Sequence, residues 1–247
     1  MWKIALVSSL AGIGSAIPLS PRQSVPHYPP SSTSTGFHLV ANVTDPSTDL
    51  PTSVNGWVFQ GIHIGAGFND AVLEAKSVNS SGRILYHNGT SEEIRYGQGS
   101  ILSDGGTPLS PYGIYVQAEN ETDSTYPEEH DVSLNVGSGT IGVSIAAFPN
   151  PYFYLTGNAP GLFVACSRVV TYYNQEFIVL RYVYDTVDEN TGLNPRTIPD
   201  ACTAVNLIPE CDTLPELPEG SLSNHEYAQS TRCYDDVSAI DWSEYGP

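Results

Sequence analysis

Residues 56–73 read GWVFQGIHIGAGFNDAVL, and this stretch decides the prediction of the fold. Apolar and aromatic residues lie on both sides of the turn Gly65-Ala66-Gly67, as in two strands joined by a glycine turn. A dinucleotide-binding loop would need a third glycine at position 70 and a helix after it, whereas the chain has Asp70 there and a strand pattern after it. The stretch therefore predicts a turning sheet and not a phosphate-binding loop.

Two polar residues beside this turn, His63 and Asp70, are the candidates for ligand binding. A histidine on a strand is more often a hydrogen-bonded structural residue than a functional one. Glycines in this setting most often mark a bulge or a tight turn. We therefore expect Gly65 and Gly67 to serve the turn of the sheet. The sequence leaves open whether His63 and Asp70 face a pocket.

The strand pattern recurs along the rest of the chain. Further segments rich in β-branched and aromatic residues read FHLVANVT (37–44), YGIYVQAE (112–119), GLFVACS (161–167) and FIVLRYVY (177–184). Residues 134–145, LNVGSGTIGVSI, read as a hairpin around Gly-Ser-Gly. The pattern predicts a single all-β domain over residues 36–247, a β-sandwich or barrel-like fold of about ten strands. Its C-terminal segment is predicted to be rich in coil and pinned by disulfides.

Residues 1–16, MWKIALVSSLAGIGSA, have the features of a secretory signal peptide. Lys3 precedes an apolar core of about ten residues, which is too short for a bilayer because a spanning helix takes about 20. Residues 17–35 are rich in Pro, Ser and Thr and are predicted to form a flexible leader. We expect a secreted, extracellular protein, and no later segment predicts a membrane span.

The charge balance narrows the choice of partners. The chain has 9 Lys and Arg residues against 27 Asp and Glu residues, a formal net charge of −18 at pH 7. Nucleic acids and anionic membranes attract basic proteins, so neither is expected as a partner. Self-repulsion of this kind keeps a secreted protein soluble, and we expect a monomer.

Four sequons for N-glycosylation lie in the N-terminal half of the domain, at Asn42, Asn79, Asn88 and Asn120. Behind a signal peptide, four such sites predict a glycoprotein whose modified asparagines lie on the surface. The glycans would crowd one region of that surface and leave the other region accessible.

The four cysteines, Cys166, Cys202, Cys211 and Cys233, predict two disulfides in an oxidising compartment, with three pairings open. The favoured pairing joins Cys202 to Cys211 across a loop, CTAVNLIPEC, and joins Cys166 to Cys233 at the tail. A zinc site is not expected, because no Cys-x-x-Cys spacing occurs. We expect neither a metal nor another cofactor.

The sequence nominates no catalytic residue. The segment YPEEHD (126–131) holds four adjacent polar groups, but neighbours on a strand alternate faces, so at most two could bind one cation. Glycoside hydrolysis needs two carboxylates across a cleft, and 27 acidic residues single out no pair. The second half of the domain is also rich in tyrosine, at Tyr152, Tyr154, Tyr172, Tyr173, Tyr182 and Tyr184. Such rings serve core packing or a glycan-binding surface.

Four motifs together carry a family resemblance: FHLVANVTD (37–45), GWVFQGIHIGAGFNDAVL (56–73), AVNLIPEC (204–211) and HEYAQSTRCYDDVSAIDW (225–242). They resemble a family of small secreted fungal proteins of uncharacterised function, some of which are labelled IgE-binding, that is, allergen-like. The resemblance covers residues 36–245, implies a fungal origin and secretion, and brings no catalytic residue. The expected function is a non-enzymatic glycoprotein at the cell surface or host interface that binds cell-wall glycans or host proteins. The alternative is a secreted hydrolase that acts on cell-wall polysaccharide through paired carboxylates.

Overall fold

Fifteen β-strands and one short α-helix form the regular structure of the part of the chain that is described. This computed structural model describes residues 28–78, 80–121, 125–186, 192 and 197–245, so the predicted signal peptide lies outside the described residues. The strands are β1 (Ser32–Ser34), β2 (Gly36–Val43), β3 (Val58–Gly65), β4 (Phe68–Glu74), β5 (Tyr86–Asn88), β6 (Ser100–Gly105), β7 (Ser110–Val116), β8 (His130–Val136), β9 (Ser144–Ile145), β10 (Leu155–Thr156), β11 (Gly161–Val170), β12 (Gln175–Tyr184), β13 (Cys202–Asp212), β14 (Ala228–Gln229) and β15 (Thr231–Cys233). The helix α1 spans Ser91–Arg95, and 3₁₀ turns span Pro46–Thr48, Val237–Ala239 and Trp242–Glu244. No helix among these residues has the length and apolar character needed to cross a membrane.

Eleven strands form one sheet of antiparallel pairs, in the order β11-β13-β2-β3-β4-β12-β8-β7-β6-β5-β14. Strand β12 also pairs with β11, so that β11, β13, β2, β3, β4 and β12 pair in a closed ring. Two short pairs, β1 with β15 and β9 with β10, lie outside this sheet. The prediction of an all-β fold is confirmed, and the strand number exceeds ten because several strands have only two or three residues.

The stretch GWVFQGIHIGAGFNDAVL forms the hairpin of β3 and β4, as the glycine turn predicts. The two strands pair from Val58 with Glu74 to His63 with Asn69, and the register shifts between His63 and Gly65. Gly67 has a φ of +78°, a left-handed value that residues with a Cβ rarely adopt. Its carbonyl accepts a hydrogen bond of 2.9 Å from a β8 backbone N–H, which ties the turn to that strand.

Strands β4, β12 and β8 meet at one point, which we call the strand junction. Val72 of β4 pairs with Val179 of β12. Two residues along, each strand changes partner: Arg181 of β12 pairs with Asp131 of β8, and Asp70 of β4 also pairs with β8. The change of partner brings three charged residues from three strands to one place.

Strand β11 of the ring is buried on both faces. In β11, Phe163 and Ala165 pack in the main apolar cluster, and Val164 and Cys166 pack in a second cluster on the other face. A strand buried on both faces needs a nearly unbroken apolar run. The β12 segment FIVLRYVY supplies one, with Arg181 as its single charged residue.

The predicted number of disulfides, two, is confirmed, but the favoured pairing is wrong. Cys166 is joined to Cys202, and Cys211 is joined to Cys233. Residues 202–211 are not a loop, because they make up most of the 11-residue strand β13. Nine steps of about 3.3 Å along a strand hold the two Cα atoms roughly 30 Å apart, whereas a disulfide needs them within about 7 Å. Cys202 instead lies directly opposite Cys166 across the β11–β13 pair, with Cα atoms 4.0 Å apart.

The hairpin predicted over residues 134–145 is also wrong. Strand β8 pairs with β7, and Ser144–Ile145 pairs with β10. The connection turns back along β7 instead, where the Thr140 N–H donates to the Ile114 carbonyl at 2.9 Å. Gly-Ser-Gly permits a tight turn, but the choice of partner is made by packing: Ile114 and Val116 of β7 are buried with β8 in the main cluster.

Regular structure begins before residue 36, the boundary that we placed between leader and domain. Strand β1 lies within the predicted leader of residues 17–35, and Ser32 pairs with Cys233 of β15. Because the Cys211–Cys233 disulfide holds β15 beside β13, this part of the leader is ordered by a partner that is remote in sequence. The leader up to residue 27 lies outside the described residues.

Removal of the Cys211–Cys233 disulfide tests the corrected pairing. The two cysteines are 22 residues apart, and the chain-entropy account of such a loop gives about 3–4 kcal/mol. The Cys211→Ala/Cys233→Ala variant should lose about 3 kcal/mol of unfolding free energy in urea and keep the bond between Cys166 and Cys202. Non-reducing peptide mapping with cleavage at Leu207 separates the two bonds. A native peptide joining Cys166 to Cys233 would contradict the structure.

Candidate functional site

A polar cavity of about 450 Å³ lies at the strand junction. Asp70 from β4, Asp131 from β8 and Arg181 from β12 line it. Tyr126, in the segment before β8, and Tyr172, in the turn after β11, also line it. We call this space the junction cavity. The fold thus gathers acidic, basic and aromatic side chains that are far apart along the chain.

The Asp70 carboxyl has a raised pKa, chiefly because burial disfavours its charged form. The Arg181 guanidinium pulls this pKa down and the Asp131 carboxylate pushes it up, and burial exceeds both effects. A carboxyl with a raised pKa in a cleft is a frequent feature of functional sites. Asp70 therefore keeps its proton to a higher pH than an ordinary aspartate does.

Arg181 is held in position by its neighbours on β8 and β12. Its Nε lies 3.2 Å from Asp131 Oδ1, and its Nη1 donates to the Leu180 carbonyl at 3.2 Å. The Arg181 side chain is 14% exposed and that of Asp131 is 54% exposed. A guanidinium has five N–H donors, so this arrangement leaves Arg181 donors for a ligand while its orientation is fixed.

A second ion pair, between Arg168 and Glu129, forms the buried wall of the cavity. Arg168 Nε donates to Glu129 Oε2 at 3.2 Å, and Nη2 donates to Glu129 Oε1, so the pair is bidentate. Nη2 also donates to the Asp200 carbonyl at 2.8 Å and to Cys202 Sγ at 3.2 Å. The Tyr126 ring centroid lies 4.3 Å from the guanidinium carbon. These contacts fasten the segment before β8 onto β11.

Of the two predicted ligand-binding residues, Asp70 lines the junction cavity and His63 does not. His63 pairs with Asn69, the neighbour of Asp70, so its side chain lies on the other face of the hairpin. Its ring is exposed and meets the edge of Tyr172 at a centroid distance of 5.9 Å. The Tyr173 hydroxyl donates to the His63 carbonyl at 2.6 Å. His63 thus supports the rim through Tyr172 rather than facing the ligand space.

The segment YPEEHD divides its side chains between two cavities. Glu129 and Asp131 line the junction cavity, whereas Glu128 and His130 line a separate cavity of about 280 Å³. His130 and Asp131 begin β8 and show the alternation expected of neighbours on a strand, whereas Glu128 and Glu129 precede β8 and also line a further cavity together. The four polar side chains therefore do not all face one cavity.

Glu129 also lies beside the Cys166–Cys202 disulfide. One ligand-type atom from each of the three residues falls within 4.8 Å of the others. The two sulfurs are bonded to each other, so neither is the thiolate that a metal requires. The cluster is therefore an ion pair packed on a disulfide.

The predicted glycosylation sites differ in accessibility. Asn120 is exposed, whereas Asn42 in β2 and Asn88 in β5 are partly buried. Asn79 lies outside the described residues.

Arg168 and Arg181 line the cavity but were not among the predicted site residues. Each interrupts an apolar strand, GLFVACSRVV and FIVLRYVY, in a chain with only 9 basic residues. An arginine within such a run has to be paired with an acid, because burial of an unpaired charge is costly. An arginine within an apolar strand could therefore have indicated the site from sequence, but it does not show which acidic residue is its partner or on which strand that residue lies.

A larger cavity of about 750 Å³ lies elsewhere and is lined mainly by apolar side chains, among them Trp57, Leu73 and Phe177. Its polar lining residues are Thr52, Glu74, Ser167 and Glu176, so it brings together no acidic and basic side chains. Polar groups that converge on a pocket fix the orientation of a ligand. The junction cavity has them, so we take it as the candidate site.

Comparison with known proteins gives a fungal context. A family described as a domain of unknown function (DUF7907) matches residues 34–211, which include the whole strand junction. A protein of Stachybotrys chartarum described as "Antigenic protein SchS34" is 44% identical over 230 residues, which cover 93% of this chain and 99% of that protein. No solved structure matches the chain. The resemblance to an uncharacterised family of fungal antigen-like proteins is confirmed.

The raised pKa of Asp70 predicts how stability changes with pH. The folded state holds the Asp70 proton more tightly than the unfolded state does. Protonated Asp70 therefore contributes to the free energy of unfolding, and this contribution is fully present below the unfolded pKa, about 3.9, and is lost as pH rises through the folded pKa. Asp70→Asn should remove this loss, so the variant should gain unfolding free energy relative to the wild type from pH 4 to pH 7. Urea denaturation at several pH values measures the difference.

Asp45 provides a control of opposite sign. Its carboxylate accepts hydrogen bonds from the Ser47 N–H at 2.9 Å and the Ser47 hydroxyl at 2.7 Å, and these bonds lower its pKa. The contribution of the Asp45 carboxylate to the free energy of unfolding is present above the unfolded pKa and is lost as pH falls. Asp45→Asn should therefore reduce the loss of unfolding free energy at acidic pH. If the unfolding free energies of the two variants depend on pH in the same way, the raised pKa of Asp70 is wrong.

Glu129→Gln tests the buried ion pair. The side chains of Arg168 and Glu129 are 8% and 2% exposed, so the variant leaves an uncompensated charge in the interior. We expect it to lose about 3–5 kcal/mol of unfolding free energy in urea. Asp131→Asn, which breaks a more exposed pair, should lose no more than about 1 kcal/mol. Similar losses for the two variants would contradict the structural difference between the pairs.

Proposed function

This chain belongs to the DUF7907 family, a domain of unknown function, and from that membership we propose that it is a secreted, antigenic fungal glycoprotein. The support is the 44% identity, over nearly the whole chain, with a Stachybotrys chartarum protein described as antigenic. The signal-peptide pattern of residues 1–16 and the four sequons agree with an extracellular location. Its place of action in this proposal is the cell surface or the interface with a host.

Its proposed activity is the binding of glycans in the junction cavity, without catalysis. Asp70, Asp131 and Arg181 offer hydrogen-bond acceptors and donors to sugar hydroxyls. Tyr126 and Tyr172 offer apolar rings with a polar tip, which suit the mixed surface of a sugar. The convergence of three charged residues at the strand junction is the observation that carries this proposal. Cell-wall polysaccharides are the ligand class that we favour.

Binding to chitin and glucan oligosaccharides tests the proposal. We expect retention of the pure protein on at least one of them and an affinity about tenfold weaker for Asp70→Asn, since a hydrogen bond to a charged or strongly polar group contributes on the order of 1.4 kcal/mol. Tyr172→Ala should weaken binding as well. Tyr96→Ala is the matched control, because Tyr96 is 67% exposed and Tyr172 is 59% exposed, and Tyr96 does not line the cavity.

Two results would count against glycan binding. One is a lack of retention on chitin, glucan and a broad glycan array. The other is an equal loss for Tyr96→Ala and Tyr172→Ala, which would indicate general adhesion of exposed tyrosines.

The second candidate function is hydrolysis of cell-wall polysaccharide, and the raised pKa of Asp70 beside Asp131 favours it. In that reaction the protonated Asp70 would give its proton to the leaving glycosidic oxygen. Asp131, whose Oδ1 lies 3.2 Å from Arg181 Nε, would act as nucleophile or base. Release of reducing ends from glucan or chitin, lost by at least about 100-fold in Asp70→Asn, would establish hydrolysis. Binding without release would exclude it.

A further inference from the structure

The sequon asparagine Asn42 lies in a setting unlike that of an ordinary glycosylation site. It belongs to β2, which is paired with β13 on one side and β3 on the other. Its side chain is partly buried and lines a cavity of about 590 Å³. Asn120, by contrast, is exposed in a turn. A glycan on Asn42 would therefore begin inside a concave surface of the protein.

A chain of hydrogen bonds fixes the orientation of the Asn42 amide. Asn206 Nδ2 donates to the Tyr152 hydroxyl at 2.9 Å, and that hydroxyl donates to Asn42 Oδ1 at 3.0 Å. The amide oxygen is thus engaged with the protein. No described residue accepts a hydrogen bond from Asn42 Nδ2, so the nitrogen that N-glycosylation modifies is the one left for the cavity.

The walls of this cavity have the chemistry of a sugar subsite. Trp242 lines it and is braced by two rings, with centroid distances of 4.7 Å to Tyr152 and 5.8 Å to Tyr234. Asn55 and Asp49 line it with polar side chains. An aromatic surface beside amide and carboxyl groups suits an N-acetylhexosamine, which has an apolar face and an acetamido group.

We propose that Asn42 carries an N-linked glycan whose first N-acetylglucosamine is seated in this cavity against Trp242. The attachment uses a lipid-linked oligosaccharide diphosphate: Nδ2 bonds to the anomeric carbon and gives up one proton, and the diphosphate leaves with the electron pair of the broken C–O bond. Oδ1 takes no part, so its bond from Tyr152 persists. The proposal rests on the secretory part of the proposed function and not on glycan binding at the junction cavity.

Seating of this sugar makes the glycan a structural part of the domain. The sugar would cover the place where β2, β13 and the C-terminal 3₁₀ turn with Trp242 come together. An enzyme that cuts between the first two sugars then reaches the Asn42 glycan only after local opening of the fold. A glycan at Asn120 has no such protection, because that residue is exposed.

Glycopeptide mass spectrometry of the secreted protein, combined with native endoglycosidase digestion, tests the proposal. We expect Asn42 to be occupied, and its glycan to be removed from the native protein at least about tenfold more slowly than the glycan at Asn120. After denaturation the two rates should become equal. If Asn120 is occupied and Asn42 is not, the inference fails while the glycoprotein proposal stands. If no sequon is occupied, both fail.

Matched substitutions at Thr44 separate the sugar from the side chain that carries it. Thr44→Ala removes the sequon and also the 3.3 Å hydrogen bond from the Thr44 hydroxyl to the Ala204 carbonyl, and it leaves Asn42 with its bond from Tyr152. Thr44→Ser keeps both the sequon and the hydroxyl. The same two variants produced without glycosylation measure the effect of the lost hydrogen bond alone, and the difference between the two preparations is the effect of the sugar. We expect Thr44→Ala to lower Tm by about 2–4 °C and Thr44→Ser to leave it nearly unchanged. Asn120→Gln, which removes an exposed glycan, should change Tm by less than Thr44→Ala does.

Trp242→Ala supplies the coupling measurement. If the sugar packs on Trp242, the loss of Tm caused by Trp242→Ala should be larger in the glycosylated background than in Thr44→Ala. Equal losses in the two backgrounds, together with rapid native digestion at Asn42, would overturn the proposal even if Asn42 is occupied.

Discussion

The meeting of β4, β12 and β8 is the constraint on which the rest of the structure depends. A strand has two edges, and β12 gives one edge to β11 and shares the other between β4 and β8. The pair of Val72 with Val179 joins β4 to β12 and closes the ring. Two residues along, Asp70 and Arg181 pair with β8, and the sheet continues there. The apolar pattern breaks at those steps, at Asp70 and Arg181. The site is thus a consequence of how one sheet both closes and continues.

Stability alone does not account for the charges at the strand junction. A buried ion pair seldom stabilises a fold more than apolar residues of the same volume would, yet the chain buries Arg168 with Glu129 and largely buries Arg181 beside Asp131. The chain has only 9 Lys and Arg residues. Two of them lie around one cavity together with an acid of raised pKa. Such an arrangement is frequent at functional sites, because it keeps polar groups desolvated and fixed in position.

Local chemistry made part of this structure predictable. The turn at Gly67 followed from glycine spacing, and the all-β class followed from the recurrence of short apolar segments. Disulfide pairing did not follow, because Pro209 and the flanking polar residues made β13 read as a loop, and its strand character depends on β2 and β11 as partners. The helix α1 was missed for a related reason. Five residues are too few for a helical period, although the capping box of Thr90 and Glu93 stands in the sequence.

The candidate site was predictable only in fragments. Asp70 was named because it stands beside the glycine turn, whereas its partners depend on which strands meet, and no local pattern specifies that. The central claim is that the junction buries Asp70 beside Arg181 and Asp131. Carboxyl carbon NMR titration tests it most directly: the account predicts that Asp70 titrates above an ordinary aspartate and Asp45 below one. Titration of Asp70 at or below the value for Asp45 would contradict it.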